Sequence, residues 1–230
     1  MRIRRTIGVM AALLTTCGAC SAPQKEQLPA KDLAEFLTWA APVKPYRIIG
    51  NVYYVGENEL TSFLIITPEG HILIDAGMEE MAAQIEKNIE TLGFHVRDVK
   101  ILLNTQAHID HAAGFAELKR ATGAKLMVSR GDTAVIESGG AKDFLWPERF
   151  RWEPVKVDEY VDDDEKISLG GVTLTAHLTP GHTKGSTTYT VTVQDGGKYV
   201  HVLFLGSTTR VGAALVGNES YPQIAEDYQR

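Results

Sequence analysis

Strand and helix signatures alternate between residues 70 and 129, and this alternation narrows the fold more than any other property of the 230-residue chain. His71–Asp75 reads as a strand. Met78 to Leu92 reads as a helix, because Met78, Met81, Ala82, Ile85, Ile89 and Leu92 recur at helical spacing and Gly93 supplies a stop. Val99-Lys-Ile-Leu-Leu103 is a short apolar run of the kind buried in a sheet covered by helices. A helix over His111–Ala121, ended by Gly123, and a strand over Lys125–Ser129 complete a β-α-β-α-β pattern. The expected fold class is therefore α/β and layered. Before this unit, Arg47–Val55 reads as a hairpin turning at Gly50-Asn51, and Ser62–Thr67 pairs with His71–Asp75 around Pro68-Glu-Gly70. After it the chain is β-rich: Ile167–Leu169, Val172–Leu178, Thr187–Val193 and Tyr199–Leu205, with Asp195-Gly-Gly197 turning the last pair.

Composition removes several function classes. With 44% hydrophobic and 23% charged residues, neither disorder nor a coiled coil is expected. A net charge of −6 without a basic stripe argues against nucleic acid as a partner. Both cysteines, Cys17 and Cys20, fall within the first 20 positions, so the body has no disulfide and no cysteine-ligated metal. Residues 1–20 read as a signal peptide: a basic start at Met1–Arg5, a short apolar run at Ile7–Leu14, then small residues. The run is too short to span a bilayer, which needs roughly 20 residues. Export to the periplasm is expected, and Cys20 after small residues also resembles a lipoprotein signal that would add a lipid anchor. Residues 21–38 read as a polar tether and a short helix.

The chemistry concentrates in Thr105-Gln106-Ala107-His108-Ile109-Asp110-His111, directly after the apolar strand. Loops at the C-terminal ends of strands are where α/β sheets gather ligands. Imidazole and carboxylate are ordinary zinc donors when cysteine is absent. On an extended loop, positions 106, 108 and 110 point one way and His111 the other, which suits two adjacent metal positions. Alone, the stretch reads more readily as a polar surface loop than as a metal site. The second element is Thr179-Pro-Gly181-His182-Thr-Lys184-Gly185-Ser186, a glycine-bracketed turn whose histidine can complete a metal site from across the sheet. His71, His95, His177 and His201 read as structural or surface residues. Trp146 and Trp152 read as packing rather than as substrate stackers.

Together, the 99–118 segment, the Leu73-Ile-Asp-Ala-Gly77 turn and the Pro-Gly-His-Thr-Lys-Gly-Ser turn resemble the metallo-β-lactamase superfamily. Within it, the chain from Trp39 onward resembles subclass B3 enzymes, in the variant whose first zinc motif begins with Gln. The resemblance implies an αβ/βα four-layer sandwich over residues 39–230 that acts as a monomer. It implies Gln106, His108 and His182 on a first zinc, and Asp110 and His111 on a second. Asp75 would orient the metal loop, and Asp110 would orient the attacking water. Ser207 and Thr209 would bind a substrate carboxylate, with Lys184 a second candidate for that task. The implied reaction is zinc-dependent hydrolysis of the β-lactam amide of penicillins, cephalosporins and carbapenems, conferring antibiotic resistance. Ser207 stands where glyoxalase-type hydrolases offer a bridging Asp, which argues against a thioester substrate.

Two departures qualify that implication. Gln106 offers a neutral amide oxygen, a weaker zinc ligand than imidazole. Family members also carry a further histidine beyond the segment resembling Tyr221–Tyr228, whereas no histidine follows His201 here. The chain is therefore expected to be truncated, lacking the last strand and helix and binding one zinc or two. Two alternatives stay open: a hydrolase of the same fold acting on a lactone, thioester or phosphoester, or an inactive remnant that binds zinc poorly.

Overall fold

The computed structural model describes residue 34 and residues 38–210 and 212–230. The leader, the tether and most of the short helix before Trp39 lie outside the described residues. Seven strands form the first sheet in sequence order: β1 (Tyr46–Ile49), β2 (Val52–Tyr54), β3 (Phe63–Thr67), β4 (Gly70–Ile74), β5 (Val99–Leu103), β6 (Lys125–Ser129) and β7 (Glu159–Val161). β1 to β4 are antiparallel neighbours, and β4 to β7 are parallel. Parallel neighbours need crossovers, and helices supply them. α1 (Ala82–Thr91) links β4 to β5, α2 (Ile109–Ala112) and α3 (Phe115–Thr122) link β5 to β6, and α4 (Arg130–Glu137) lies between β6 and β7. The second sheet, β8 (Lys166–Leu169), β9 (Val172–Leu178), β10 (Thr187–Asp195) and β11 (Lys198–Phe204), is wholly antiparallel, in the order β11-β10-β9-β8.

Strand alternation divides the core in two. Leu73, Leu102, Leu126 and Val128 face the helices and meet Ile85, Ile89, Phe115, Leu118 and Ile136. Their strand neighbours Ile72, Ile74, Leu103 and Met127 face the second sheet and meet Leu174, Ala176, Tyr189, Val191 and Phe204. The apolar run at 99–103 is thus buried on both faces, as its composition required. Burying a Leu or Ile side chain contributes about 1.5–3 kcal/mol, so these two faces are the main source of stability. Among the described residues no helix is long and apolar enough to cross a membrane.

Local departures from the sequence pattern have tertiary causes. The expected helix over 111–121 starts earlier, at Ile109, and is divided between Ala112 and Phe115. Gly114 sits at the break, where a Cβ would lie 2.3 Å from the Ala76 carbonyl oxygen. Its N–H donates to Gly77 O at 3.0 Å, and Ala76 N donates to His111 O at 2.8 Å, so this corner is clamped to the end of β4. Asp110 consequently joins His111 in one helical turn and leaves the extended loop expected for positions 106–110. α4 was hidden because Gly131, Thr133 and Val135 are weak helix formers. Gly131 is required there: a Cβ would meet the Lys184 carbonyl oxygen at 2.3 Å. Near the C-terminal end the described residues form a single helical turn, α5 (Ile224–Asp227).

Glu57 is buried in the connection from β2 to β3, and burial pushes its carboxyl up to about 7. A folded value above the unfolded one means that this residue's contribution is whole below about pH 4.5 and is lost as pH rises through about 7. Glu57→Gln should therefore unfold at higher urea than the parent at pH 8, by about 2 kcal/mol, with little difference at pH 4.5. Equal midpoints for the two proteins at pH 8 would contradict this.

Candidate metal centre

The loop leaving β5 is built from buried hydrogen bonds. Asn104 Nδ2 donates to Gln106 O at 2.7 Å, and Tyr189 OH donates to Asn104 O at 3.0 Å. Asp75, at the end of β4, accepts from Thr105 N at 2.7 Å and from Thr105 Oγ1 at 2.6 Å. Its φ of 61° lies in the left-handed region, an unfavourable place for a non-glycine residue that these bonds hold fixed. On the far side, Asp132 accepts from Ala107 N (2.9 Å), Thr183 Oγ1 (2.7 Å) and Gly185 N (2.8 Å). Burial pushes the Asp132 carboxyl up to about 6, against the pull of those donors. One carboxylate thus joins the metal loop of the first sheet to the 181–186 turn of the second.

This framework brings His108 and His182 together, with His108 Nδ1 3.1 Å from His182 Nε2. Two nitrogens on one tetrahedral zinc, each about 2.0–2.1 Å from the metal, stand about 3.4 Å apart, so the pair fits. Gln106 Oε1, from the same loop, is buried without a hydrogen-bond partner. A buried orphan oxygen is costly unless something satisfies it, and a cation would. Burial pushes the His182 imidazole down to about 4, which keeps it neutral and able to ligate. Gln106, His108 and His182 therefore suit one zinc.

Beside them, His111 Nδ1 lies 2.8 Å from Asp75 Oδ2, while His111 Nε2 lies 3.5 Å from Asp110 Oδ2. Burial opposes a charged imidazole here, but Asp110 and Asp75 outweigh it and raise His111 to about 9. Positive charge is thus favoured between Nε2 and Asp110, as a second cation position requires. Among the described residues no three His, Cys, Asp or Glu side chains converge on one point, so Gln106 is needed to give the first position a third donor.

The remaining sequence candidates divide. Ser207 Oγ lies 3.1 Å from Thr209 Oγ1, which lies 3.2 Å from His182 Nδ1, so the two hydroxyls sit beside the edge of the His182 ring opposite the nitrogen that faces His108. Lys184 is directed elsewhere, its Nζ 5.4 Å from the Tyr221 ring centroid. Trp152 is buried packing, as expected, but Trp146 packs on the His108 ring with centroids 5.1 Å apart. Sequence reasoning missed Asp132 and Asp143. Asp132 follows the C-terminal end of β6, the same edge as the metal loop, and that position was a usable signal. Asp143 lies in an irregular loop with no pattern to mark it; its Oδ2 is 3.4 Å from His108 Nε2.

Two packed sheets with helices outside, and imidazole, carboxylate and amide donors gathered from loops at one edge, define a metal-binding hydrolase architecture. Residues 55–214 match the metallo-beta-lactamase superfamily, and the chain belongs to it. It is similar to the FEZ-1 metallo-beta-lactamase of Legionella gormanii, at 46% identity and a TM-score of 0.81 over 83% of this chain and 74% of that one. It is also similar to BJP-1 of Bradyrhizobium japonicum, titled a subclass B3 metallo-beta-lactamase, at 42% identity and a TM-score of 0.79 over 83% and 72%. A Cronobacter sakazakii metallo-beta-lactamase titled for its HARLDQ motif matches at 40% and 0.82 over 85% and 74%. Among curated proteins, a probable metallo-hydrolase of Burkholderia pseudomallei is 33% identical over 48% of this chain. A beta-lactamase hydrolase-like protein of Agrobacterium fabrum is 30% identical over 42% of this chain. The matched stretches span only 36% and 22% of those two proteins.

Asp132→Ala would strand three buried donors, each costing about 1–3 kcal/mol. The variant should lose about 3 kcal/mol or more in urea unfolding, and zinc affinity should fall with it. A stability within 1 kcal/mol of the parent would show that Asp132 does not hold the two loops together.

Proposed function

We propose that the protein hydrolyses the amide bond of β-lactams in a zinc-dependent reaction of the subclass B3 type. The observation that carries the reading is the approach of His108 Nδ1 to His182 Nε2, at 3.1 Å, with the orphan Gln106 oxygen in the same loop. Zinc, when bound, supplies a water of lowered pKa and polarises the substrate carbonyl. The chain's own residues do the positioning. Asp110 and His111, adjacent in one helical turn, flank the reacting face, and Asp110 orients the attacking water and holds its proton. The Ser207 and Thr209 hydroxyls bind the substrate carboxylate; Lys184, turned toward Tyr221, is the weaker candidate. Neither Ser207 nor Ser186 acts as a nucleophile, and the Ser186 hydroxyl is engaged by Thr183 N at 3.0 Å. The reading includes export to the periplasm on the 1–20 leader, action as a monomer on a small molecule, and a role in antibiotic resistance.

The full chain, supplied with zinc, should turn over a cephalosporin or a carbapenem; chelation should abolish the activity and added zinc restore it. Ser207→Ala should raise KM about tenfold with a smaller change in kcat, as expected for a lost hydrogen bond to a charged group. Zinc-dependent turnover of a lactone, thioester or phosphoester with none of any β-lactam would defeat the proposal in favour of another hydrolase of this fold. Less than one firmly held zinc per chain would favour an inactive remnant.

A further inference from the structure

We propose that Asp143 sets the tautomer of His108, holding its proton on Nε2 so that Nδ1 is free to take a metal. The inference rests on the reading of His108 as a zinc ligand. Asp143 is buried, and its Oδ1 accepts the main-chain N–H groups of Leu145 at 2.7 Å and Trp146 at 2.6 Å. The carboxylate is therefore anchored before it meets the imidazole. Its other oxygen faces His108 Nε2 at 3.4 Å, and that nitrogen is buried without a hydrogen-bond partner. Trp146, carried by the same loop, packs against the ring at a tilt of 54°, with centroids 5.1 Å apart.

A neutral imidazole has one donor and one acceptor nitrogen, and a carboxylate can only accept. Nε2 of His108 must therefore be the donor, which leaves the lone pair on Nδ1. His182 is set in the opposite sense. Its Nδ1 lies 2.8 Å from the main-chain oxygen of Thr209, also a pure acceptor, so its lone pair is on Nε2. These two lone-pair nitrogens are the ones that face each other at 3.1 Å, an arrangement that only a cation or a shared proton relieves. The two acceptors also belong to one packed unit. Phe144 and Leu145 pack with Ala213, Tyr221 and Ile224, and Tyr228 of the same group donates to Thr209 O at 2.7 Å. The orientation of both ligands is thus determined together, and Asp143 acts as a positioning residue through His108.

The test is two-bond proton–nitrogen correlation NMR on the metal-free full chain with labelled histidine, together with zinc titration. The parent should show His108 with its proton on Nε2. In Asp143→Asn, the side-chain oxygen can still accept from Leu145 and Trp146 while the amide donates to Nε2. His108 should then shift its proton to Nδ1, and affinity for the first zinc should fall about 10–100-fold. A parent protein with its proton on Nδ1 would overturn the proposal without any variant. So would a folded Asp143→Asn protein with the parent's tautomer and zinc affinity within twofold. A parent that binds no zinc would instead strike the functional reading, because the tautomer result stands independently of it.

Discussion

The site depends on a buried carboxylate that the sequence alone did not single out. Asp132 receives hydrogen bonds from Ala107, Thr183 and Gly185, and so ties the loop leaving β5 to the turn between β9 and β10. Those two segments belong to different sheets and carry the two histidines that meet, His108 and His182. Burial disfavours the charged form of such a group, and the three donors offset that cost only while both loops are in place. The geometry around His108 and His182 is therefore a property of the sandwich, not of either loop.

The sandwich rests in turn on the alternation of side chains along β4, β5 and β6. One set of residues packs under the helices and the next packs onto the second sheet. A strand buried on both faces tolerates little displacement, which gives the loops at its end a rigid base. Gly114 and Gly131 extend that base, because main-chain oxygens of Ala76 and Lys184 occupy the space that their side chains would take. The placement of His108 and His182 thus begins in close backbone contact several residues away from them.

Much of this was legible in the sequence. The helical repeat at Met78–Leu92 and the apolar run at Val99–Leu103 identified their elements, and the glycines at 50, 93 and 123 marked real turns or stops. The polar stretch at 105–111 and the turn at 181–186 gave the residues that meet. What escaped was set by distant contacts. α4 forms despite weak propensity, because Val135 and Ile136 bury against the sheet. Asp110 is helical, not extended, because Ala76 and Gly77 clamp that corner. Asp143 could not be read at all, since its meaning comes from facing His108 across 35 residues of chain, a relation that no local pattern encodes.

The partner of His182 Nδ1 is a backbone oxygen, that of Thr209, and not a side chain. Replacing the residue at 209 changes the hydroxyl beside Ser207 but leaves the carbonyl where it was. The orientation of the His182 ring and the hydroxyl at 209 are therefore separable, so the side chain at this position can vary without loosening that imidazole. At position 143 no such freedom exists, because there the side chain itself faces the imidazole of His108.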